Sequence, residues 1–93
     1  MSNSILQSEK KCYSCQREYP LHKHHILKGS RNRDNSEKYG LWVWLCPEHH
    51  TGKMSPHFNH EIDMYLIETA QRAFEETHSR EEFRQIFGKN YLE

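Results

Sequence analysis

The stretch that decides the fold is LHKHHIL at residues 21–27, followed after a polar segment by LWVWLCPEHH at residues 41–50. Two short segments, residues 21–27 and 41–46, are each predicted to form a strand. The segment at residues 41–46 is rich in apolar and aromatic residues. Turn formers, Arg and Lys dominate residues 28–40 between them. We therefore predict a β-hairpin with a long basic loop, after which Pro47 begins a short helix.

The C-terminal third of the chain predicts two helices. Asn59 is a good N-cap, and apolar residues recur at three- and four-residue spacing from there to about Thr77. Ser79 and Glu82 form a capping box for a shorter helix that ends at Gly88. We expect this pair of helices, residues 59–88, to cover the hairpin.

Length and composition indicate one small α+β domain over residues 1–93. Hydrophobic residues make up 34% of the chain, whereas average globular chains have roughly 45 to 50%. A bound metal would compensate for so small a core, because structural zinc can contribute on the order of 10 kcal/mol to folding. The polar residues 1–11 are expected to fray.

Two ligand pairs bracket the hairpin, Cys12 with Cys15 and Cys46 with His49. In each pair, two intervening residues allow a tight turn to aim both side chains at one ion, and three thiolates with one imidazole form a structural zinc set. The odd cysteine count argues against a disulfide framework. The alternative is three reduced cysteines that only pack. We predict structural Zn²⁺ at these four residues, within a zinc-supported unit over residues 12–53.

The remaining histidines of this region crowd near the same hairpin. Histidine is both a ligand for divalent metals and the side chain best suited to accept a proton near neutral pH. A second, open metal site is therefore expected among His22, His24, His25, His50 and His57.

Taken together, Cys-x-x-Cys, a His-His-Ile strand, a basic loop and Leu-Cys-x-x-His-His before a helix resemble the zinc-containing branch of the HNH endonucleases. The resemblance covers about Leu21 to Lys53 and implies a ββα-metal, treble-clef-like unit that hydrolyses DNA phosphodiester bonds. It also implies that His25 is the general base, and that His24 and His50 are catalytic ligands of a divalent metal such as Mg²⁺, Mn²⁺, Ni²⁺ or Zn²⁺. A small isolated domain of this kind suits a phage protein.

The chain departs from the family pattern at the start of the second strand. The family usually has an Asn there, which fixes the loop that carries the base, whereas this chain has Gly40 and Leu41. Asn32 or Asn35 of the predicted loop are the substitutes that the sequence offers.

A second departure concerns the third ligand of the catalytic metal. The family often has His or Asn four residues after the ligand corresponding to His50, and this chain has Met54 there. We expect His57 to be the third ligand, with His60 as the weaker candidate.

Charge is unevenly distributed, although the net charge is zero. Residues 1–58 contain nine Lys or Arg and five acidic residues, and residues 59–93 contain four and eight, which gives +4 and −4. Ordinary solvated charge is the alternative, but the positive half also contains the histidines, as expected if a DNA backbone approaches that face. The predicted phosphate contacts from the loop are Lys28, Arg31, Arg33 and Lys38.

The sequence shows neither an apolar run that would span a bilayer nor a signal-peptide core, so a cytoplasmic protein is the default expectation. The expected partner is DNA, with a partner protein as a source of targeting. Two other functions stay open. One is a treble-clef zinc finger that binds nucleic acid or protein without cutting. The other is a hydrolytic zinc enzyme that acts on a different kind of substrate.

Overall fold

A computed structural model of the chain describes residues 3–92, and the outermost residues of the predicted domain, 1, 2 and 93, lie outside the described part. The fold is α+β, as predicted. Within residues 3–92 no helix is both long and apolar enough to cross a membrane. The elements in chain order are β1 (His22–His25), α1 (Ser30–Tyr39), β2 (Trp42–Leu45), α2 (Pro47–Thr51), α3 (His60–Phe74) and α4 (Arg80–Phe87).

The two predicted strands are confirmed as an antiparallel hairpin, and each is shorter than the segment predicted for it. In the register of the hairpin, His24 pairs with Val43 and His25 pairs with Trp42. Successive side chains of a strand point to opposite faces of a sheet. Val43 is fully buried on one face, while the Lys23 ammonium lies 4.1 Å from the centre of the Trp42 ring on the other. The hairpin therefore directs neighbouring histidines of β1 into different surroundings.

The prediction of a long loop between the strands was wrong, because α1 occupies most of it. Gly29 precedes this helix with φ of 96°, and Gly40 ends it with φ of 74°, where its N–H donates to the Ser36 carbonyl. Both glycines thus adopt a positive φ, which side chains disfavour. Two of the residues counted as turn formers are the ends of a helix.

Hydrogen bonds to the rest of the fold explain why the polar segment is helical. The buried Ser36 hydroxyl accepts from the Leu27 N–H at 3.2 Å. The amides of Asn32 and Asn35 donate to backbone carbonyls at the end of α4, each at 3.4 Å. Asn and Ser have modest helix propensity, but such tertiary contacts can override it. Neither asparagine substitutes for the strand-start Asn, because both point to α4.

The C-terminal helices cover the apolar face of the hairpin, and their predicted caps are confirmed. The Asn59 side chain accepts from the Ile62 N–H, and Ser79 with Glu82 makes both bonds of the capping box. Helix α3 ends at Phe74, before the predicted end near Thr77. The core residues that β2 and its flanks share with these helices are Leu41, Val43, Leu45, Leu66, Ile67, Ala70, Phe74, Phe83 and Phe87.

The N-terminal segment does not fray as predicted over the part that the structure describes. It lies along the free edge of β2, where the Ser4 hydroxyl donates to the Trp42 carbonyl and the Trp44 N–H donates to the Gln7 side chain, both at 2.6 Å. The Ile5 N–H adds a bond to the Gly40 carbonyl at 2.9 Å. Polar backbone groups at the edge of a strand need partners, and this polar segment supplies them.

Substituting Gly40 by Ala should destabilise the fold more than substituting Gly88 by Ala. Both glycines have a left-handed φ, for which a side chain costs about 1 to 2 kcal/mol. A Cβ at Gly88 meets nothing within 4 Å, whereas one at Gly40 collides with the Asn3 carbonyl oxygen and lies 3.1 Å from Ile5 Cγ2. The crowding should add about 1 to 3 kcal/mol. Urea unfolding of the metal-loaded variants measures the difference, and equal losses would contradict the docking of the N-terminal segment.

Candidate metal centres and active site

The first candidate centre, which we call the Cys3His group, consists of Cys12, Cys15, Cys46 and His49. Their ligand atoms all lie within 4.8 Å of one another. His49 Nδ1 lies 3.2 Å from the Cys46 sulfur and 3.8 Å from the Cys12 sulfur. The structure thus brings together the four residues that the sequence predicts as ligands of one ion.

Local backbone geometry on each side of the Cys3His group explains this convergence. The Cys12 N–H donates to the Arg17 carbonyl at 2.7 Å, and the Gln16 N–H donates back to the Cys12 carbonyl at 2.8 Å. Gln16 closes this turn with φ of 69°. On the other side, Cys46 is the extended N-cap of α2 and Pro47 occupies the first turn, so His49 follows Cys46 by about one helical turn.

The donor atoms of the Cys3His group fit a structural metal ion. All three cysteines are free thiols, and the Cys15 and Cys46 sulfurs are 3.8 Å apart, well beyond the roughly 2.05 Å of a disulfide. Burial by itself raises the pKa of the Cys12 thiol, but hydrogen bonds from the Cys46 N–H and two nearby N–H groups outweigh it and lower the pKa to about 7. Since the thiolate is the form that binds metal, the group can hold a structural ion such as Zn²⁺.

The second candidate centre, which we call the three-His group, consists of His24 from β1, His50 from α2 and His57 from the connection to α3. One ring nitrogen from each lies within 4.8 Å of the others. The Nε2 atoms of His50 and His57 are 3.4 Å apart. His60, the weaker candidate, begins α3 and belongs to neither group, while Met54 is exposed.

The electrostatics of the three-His group favour metal binding. His24 is only 2% exposed, and its Nε2 has no hydrogen-bond partner among the described residues. Burial, followed by the charges that His50 and His57 would carry, lowers the pKa of His24 to about 3. Burial also lowers the pKa of His50. Neutral imidazoles bind metals, so this unpartnered nitrogen and its neighbours fit a divalent ion.

His22 lies beside the three-His group without belonging to it. Its Nδ1 is 3.0 Å from Nδ1 of His50. One of these two nitrogens must donate a hydrogen bond to the other. Histidines that bind a metal through one nitrogen usually hydrogen-bond through the other, and His22 is placed to orient His50 in this way.

His25 belongs to neither metal group, and its ring contacts Glu37 of α1. Its Nε2 lies 2.9 Å from one carboxylate oxygen of Glu37, and the Lys23 ammonium lies 3.2 Å from both oxygens. The sequence pattern does not indicate Glu37, because it predicts a loop for this segment. The helix itself is the signal that would have identified Glu37, because it brings this side chain against Lys23 and His25 of β1.

An open cleft of about 400 Å³ brings His25 and the three-His group together. It lies where β1 ends at His25 and the chain turns toward α1. This position lets both His24 and His25 reach it, although a strand directs neighbouring side chains to opposite faces. The lining residues are Lys23, His24, His25, Leu27, Lys28, Gly29, Arg33, His50 and His57.

The cleft contains part of the predicted set of phosphate contacts. Lys28 and Arg33 line it, and Lys23 adds a cation that was not among those predicted. The Lys28 ammonium also lies 3.2 Å from Asp63 of α3. Arg31 and Lys38 are exposed on α1 and are not among the lining residues. The cleft thus places a candidate metal centre, a fourth histidine and several cations in one space.

Comparison of the chain with known protein families, with curated proteins and with solved structures finds no match.

Protein purified without chelators should contain one tightly bound zinc ion. The Cys46→Ser variant should lose it, together with the cooperative unfolding transition, because structural zinc can contribute on the order of 10 kcal/mol to folding. His60→Ala removes an exposed histidine outside both groups and is the matched control. Metal analysis and thermal unfolding give the two readouts. Retention of zinc by Cys46→Ser would contradict the assigned ligand set.

A second divalent ion should bind to protein that already holds one zinc, with the three-His group as its site. His57→Ala should lower the affinity for this second ion by at least about 100-fold. Loss of a residue that only hydrogen-bonds to a metal ligand typically lowers metal affinity by about 10- to 100-fold. His60→Ala should leave it unchanged. Titration calorimetry with Ni²⁺ or Zn²⁺ measures both. Equal affinity in the two variants would show that the second ion binds elsewhere.

Proposed function

We propose that this protein is a metal-dependent endonuclease of the HNH type, which hydrolyses DNA phosphodiester bonds. One observation carries the proposal: three imidazoles with a buried, unpartnered nitrogen converge beside a fourth histidine, His25, in a cleft lined by cations. Hydrolysis of a phosphodiester needs stabilisation of charge on the phosphate oxygens and a base for the attacking water. The three-His group supports the first requirement, and His25 supports the second.

The Cys3His group has a structural role in this proposal. It joins the turn at Cys12 and Cys15 to the junction of β2 and α2, in a treble-clef-like arrangement. The hairpin and α2 then form the ββα-metal unit, with α1 inserted between the two strands. All four ligand positions of a tetrahedral ion are taken by protein, so a zinc ion there keeps no open position for a substrate.

The proposed reaction is attack of water on the phosphorus atom. His25 accepts a proton from this water as the new P–O bond forms, the bond from phosphorus to the 3′-oxygen breaks, and the leaving oxygen gains a proton from solvent. A divalent ion held by His24, His50 and His57 would supply positive charge that stabilises the phosphate oxygens. The products are a 3′-hydroxyl and a 5′-phosphate.

Positive side chains account for the proposed DNA binding. Lys23, Lys28 and Arg33 line the cleft, and Arg31 and Lys38 extend the positive charge along α1. Contacts of this kind go to phosphates, which position a duplex without reading its sequence. We therefore propose low intrinsic specificity, with targeting supplied by a partner protein. By analogy with small isolated HNH domains, we also propose that it is a phage protein that acts in the cytoplasm.

A non-catalytic zinc finger that binds nucleic acid or protein is the second candidate. The observation that favours it lies at the start of β2, where Gly40 and Leu41 are buried and neither offers the polar side chain expected of an HNH nuclease. Such a protein would bind its partner through the basic face and would not need His25 as a base.

Purified protein should nick supercoiled plasmid in the presence of Mg²⁺, Mn²⁺, Ni²⁺ or Zn²⁺, and EDTA should stop the reaction. His25→Ala should reduce the rate about 10²- to 10⁴-fold, the usual contribution of a general base. Its zinc content and second-metal affinity should match the wild type, because His25 belongs to neither metal group. His60→Ala, purified in parallel, is the control for contaminating nuclease.

The outcomes separate the two candidates. Cleavage that requires His25 supports the nuclease. If the wild type binds DNA but does not cleave it with any of these metal ions, the zinc finger is supported instead. Equal cleavage by the wild type and His25→Ala would remove His25 from the role of base.

A further inference from the structure

We propose that Glu37 is a positioning residue that fixes the ring of His25, so that Nδ1 is the nitrogen that accepts the proton from water. This inference rests on the proposed nuclease function. It concerns a residue that the sequence pattern did not indicate, on a helix that was not expected.

The direction of the hydrogen bond between the two side chains decides which nitrogen of His25 is free. Glu37 Oε1 lies 2.9 Å from His25 Nε2. The hydrogen bond from His25, followed by the Lys23 ammonium, outweighs burial and lowers the pKa of Glu37, so the carboxyl group is ionised near neutral pH. An ionised carboxylate can only accept, so Nε2 must carry the hydrogen. The free electron pair of the neutral ring is then on Nδ1.

The carboxylate of Glu37 is itself held in place. Lys23 donates to both oxygens of Glu37 at 3.2 Å, and its ammonium also lies over the Trp42 ring at 4.1 Å. All three members of the Lys23–Glu37–His25 network are partly buried, with 22 to 27% of each side chain exposed. Glu37 sits on a helix and the other two on a strand. A base held by such elements loses little orientational freedom when substrate binds.

Glu37 also lies close to the position where the chain departs from the HNH pattern. The HNH resemblance leads one to expect an Asn at the start of the second strand, where this chain has Gly40 and Leu41. Glu37 precedes that position by one turn of α1 and reaches the base directly with its side chain. In HNH nucleases the strand-start Asn holds the loop that carries the base. In this chain the Glu37 carboxylate on α1 can hold the base instead.

The test compares Glu37→Gln with Glu37→Ala. The Gln carbonyl can keep the contacts that Oε1 makes with His25 and Lys23, whereas the amide nitrogen that replaces Oε2 loses the second bond to Lys23, and the charge is removed. We expect Glu37→Gln to retain kcat within about threefold, and Glu37→Ala to lower kcat about 10- to 100-fold with KM changed less than about threefold, as for partial loss of a general base. Asp34→Ala, which removes an exposed acid from the same helix, should change neither constant.

A spectroscopic readout is independent of cleavage. An imidazole N–H that donates to a carboxylate exchanges slowly with solvent and gives a resolved proton resonance, whereas an exposed one exchanges too fast to be seen. The His25 Hε2 resonance, assigned by its loss in His25→Ala, should be present in the zinc-loaded wild type and in Glu37→Gln. It should be absent in Glu37→Ala.

The results distinguish failure of this inference from failure of the nuclease proposal. Absence of the resonance in the wild type, or equal kcat for the wild type and Glu37→Ala, would overturn the role of Glu37 while leaving the nuclease in place. Equal loss of kcat in Glu37→Gln and Glu37→Ala would also overturn the positioning role of Glu37. The loss of kcat would then come from removal of the charge and not from removal of the hydrogen bond to His25. A wild type that shows the resonance but cuts no DNA would overturn the nuclease proposal, and with it the catalytic use of this restraint.

Discussion

Convergence of Cys12, Cys15, Cys46 and His49 within 4.8 Å joins two segments that are more than thirty residues apart in the chain. The joined segments are the turn before β1 and the start of α2. His50 directly follows His49, so the orientation of α2 also decides where this histidine points. The three-His group therefore depends on the Cys3His group, because a shift of α2 would move His50 relative to His24 on the hairpin. In a chain with only 34% hydrophobic residues, a metal ion would provide the rigidity that core packing provides in larger domains.

The hairpin gives adjacent histidines opposite electrostatic surroundings. His24 is buried among other imidazoles, and burial is the main reason that its pKa falls to about 3. His25, the next residue, instead contacts the carboxylate of Glu37 through its Nε2 atom. A metal ligand must stay neutral, whereas a general base must be able to gain a proton. In the proposed nuclease, the adjacent positions of His24 and His25 at the end of β1 would meet both needs within one cleft.

Local signals were sufficient to predict much of this architecture. The caps at Asn59 and Ser79, the two short strands and the spacing of the zinc-type ligands are each determined by a few neighbouring residues. Helix α1 was missed because its stability comes from distant partners: Ser36 bonds to the Leu27 backbone, and its asparagines bond to α4. Glu37 was missed with the helix. His57 could be named as a candidate ligand, but its position could not be worked out from spacing, since it lies on an irregular connection whose path depends on packing.

The N-terminal segment also affects how the hairpin meets other molecules. In a two-stranded sheet each strand has an outer edge, and unpaired N–H and C=O groups on an edge are a template for pairing with another chain. Ser4, Gln7 and Tyr13 occupy such groups at Trp42 and Trp44 of β2. The N-terminal segment thus shields the edge of the strand that contains the two tryptophans. The segment that the sequence predicts to fray covers backbone groups through which β2 could otherwise pair with another chain.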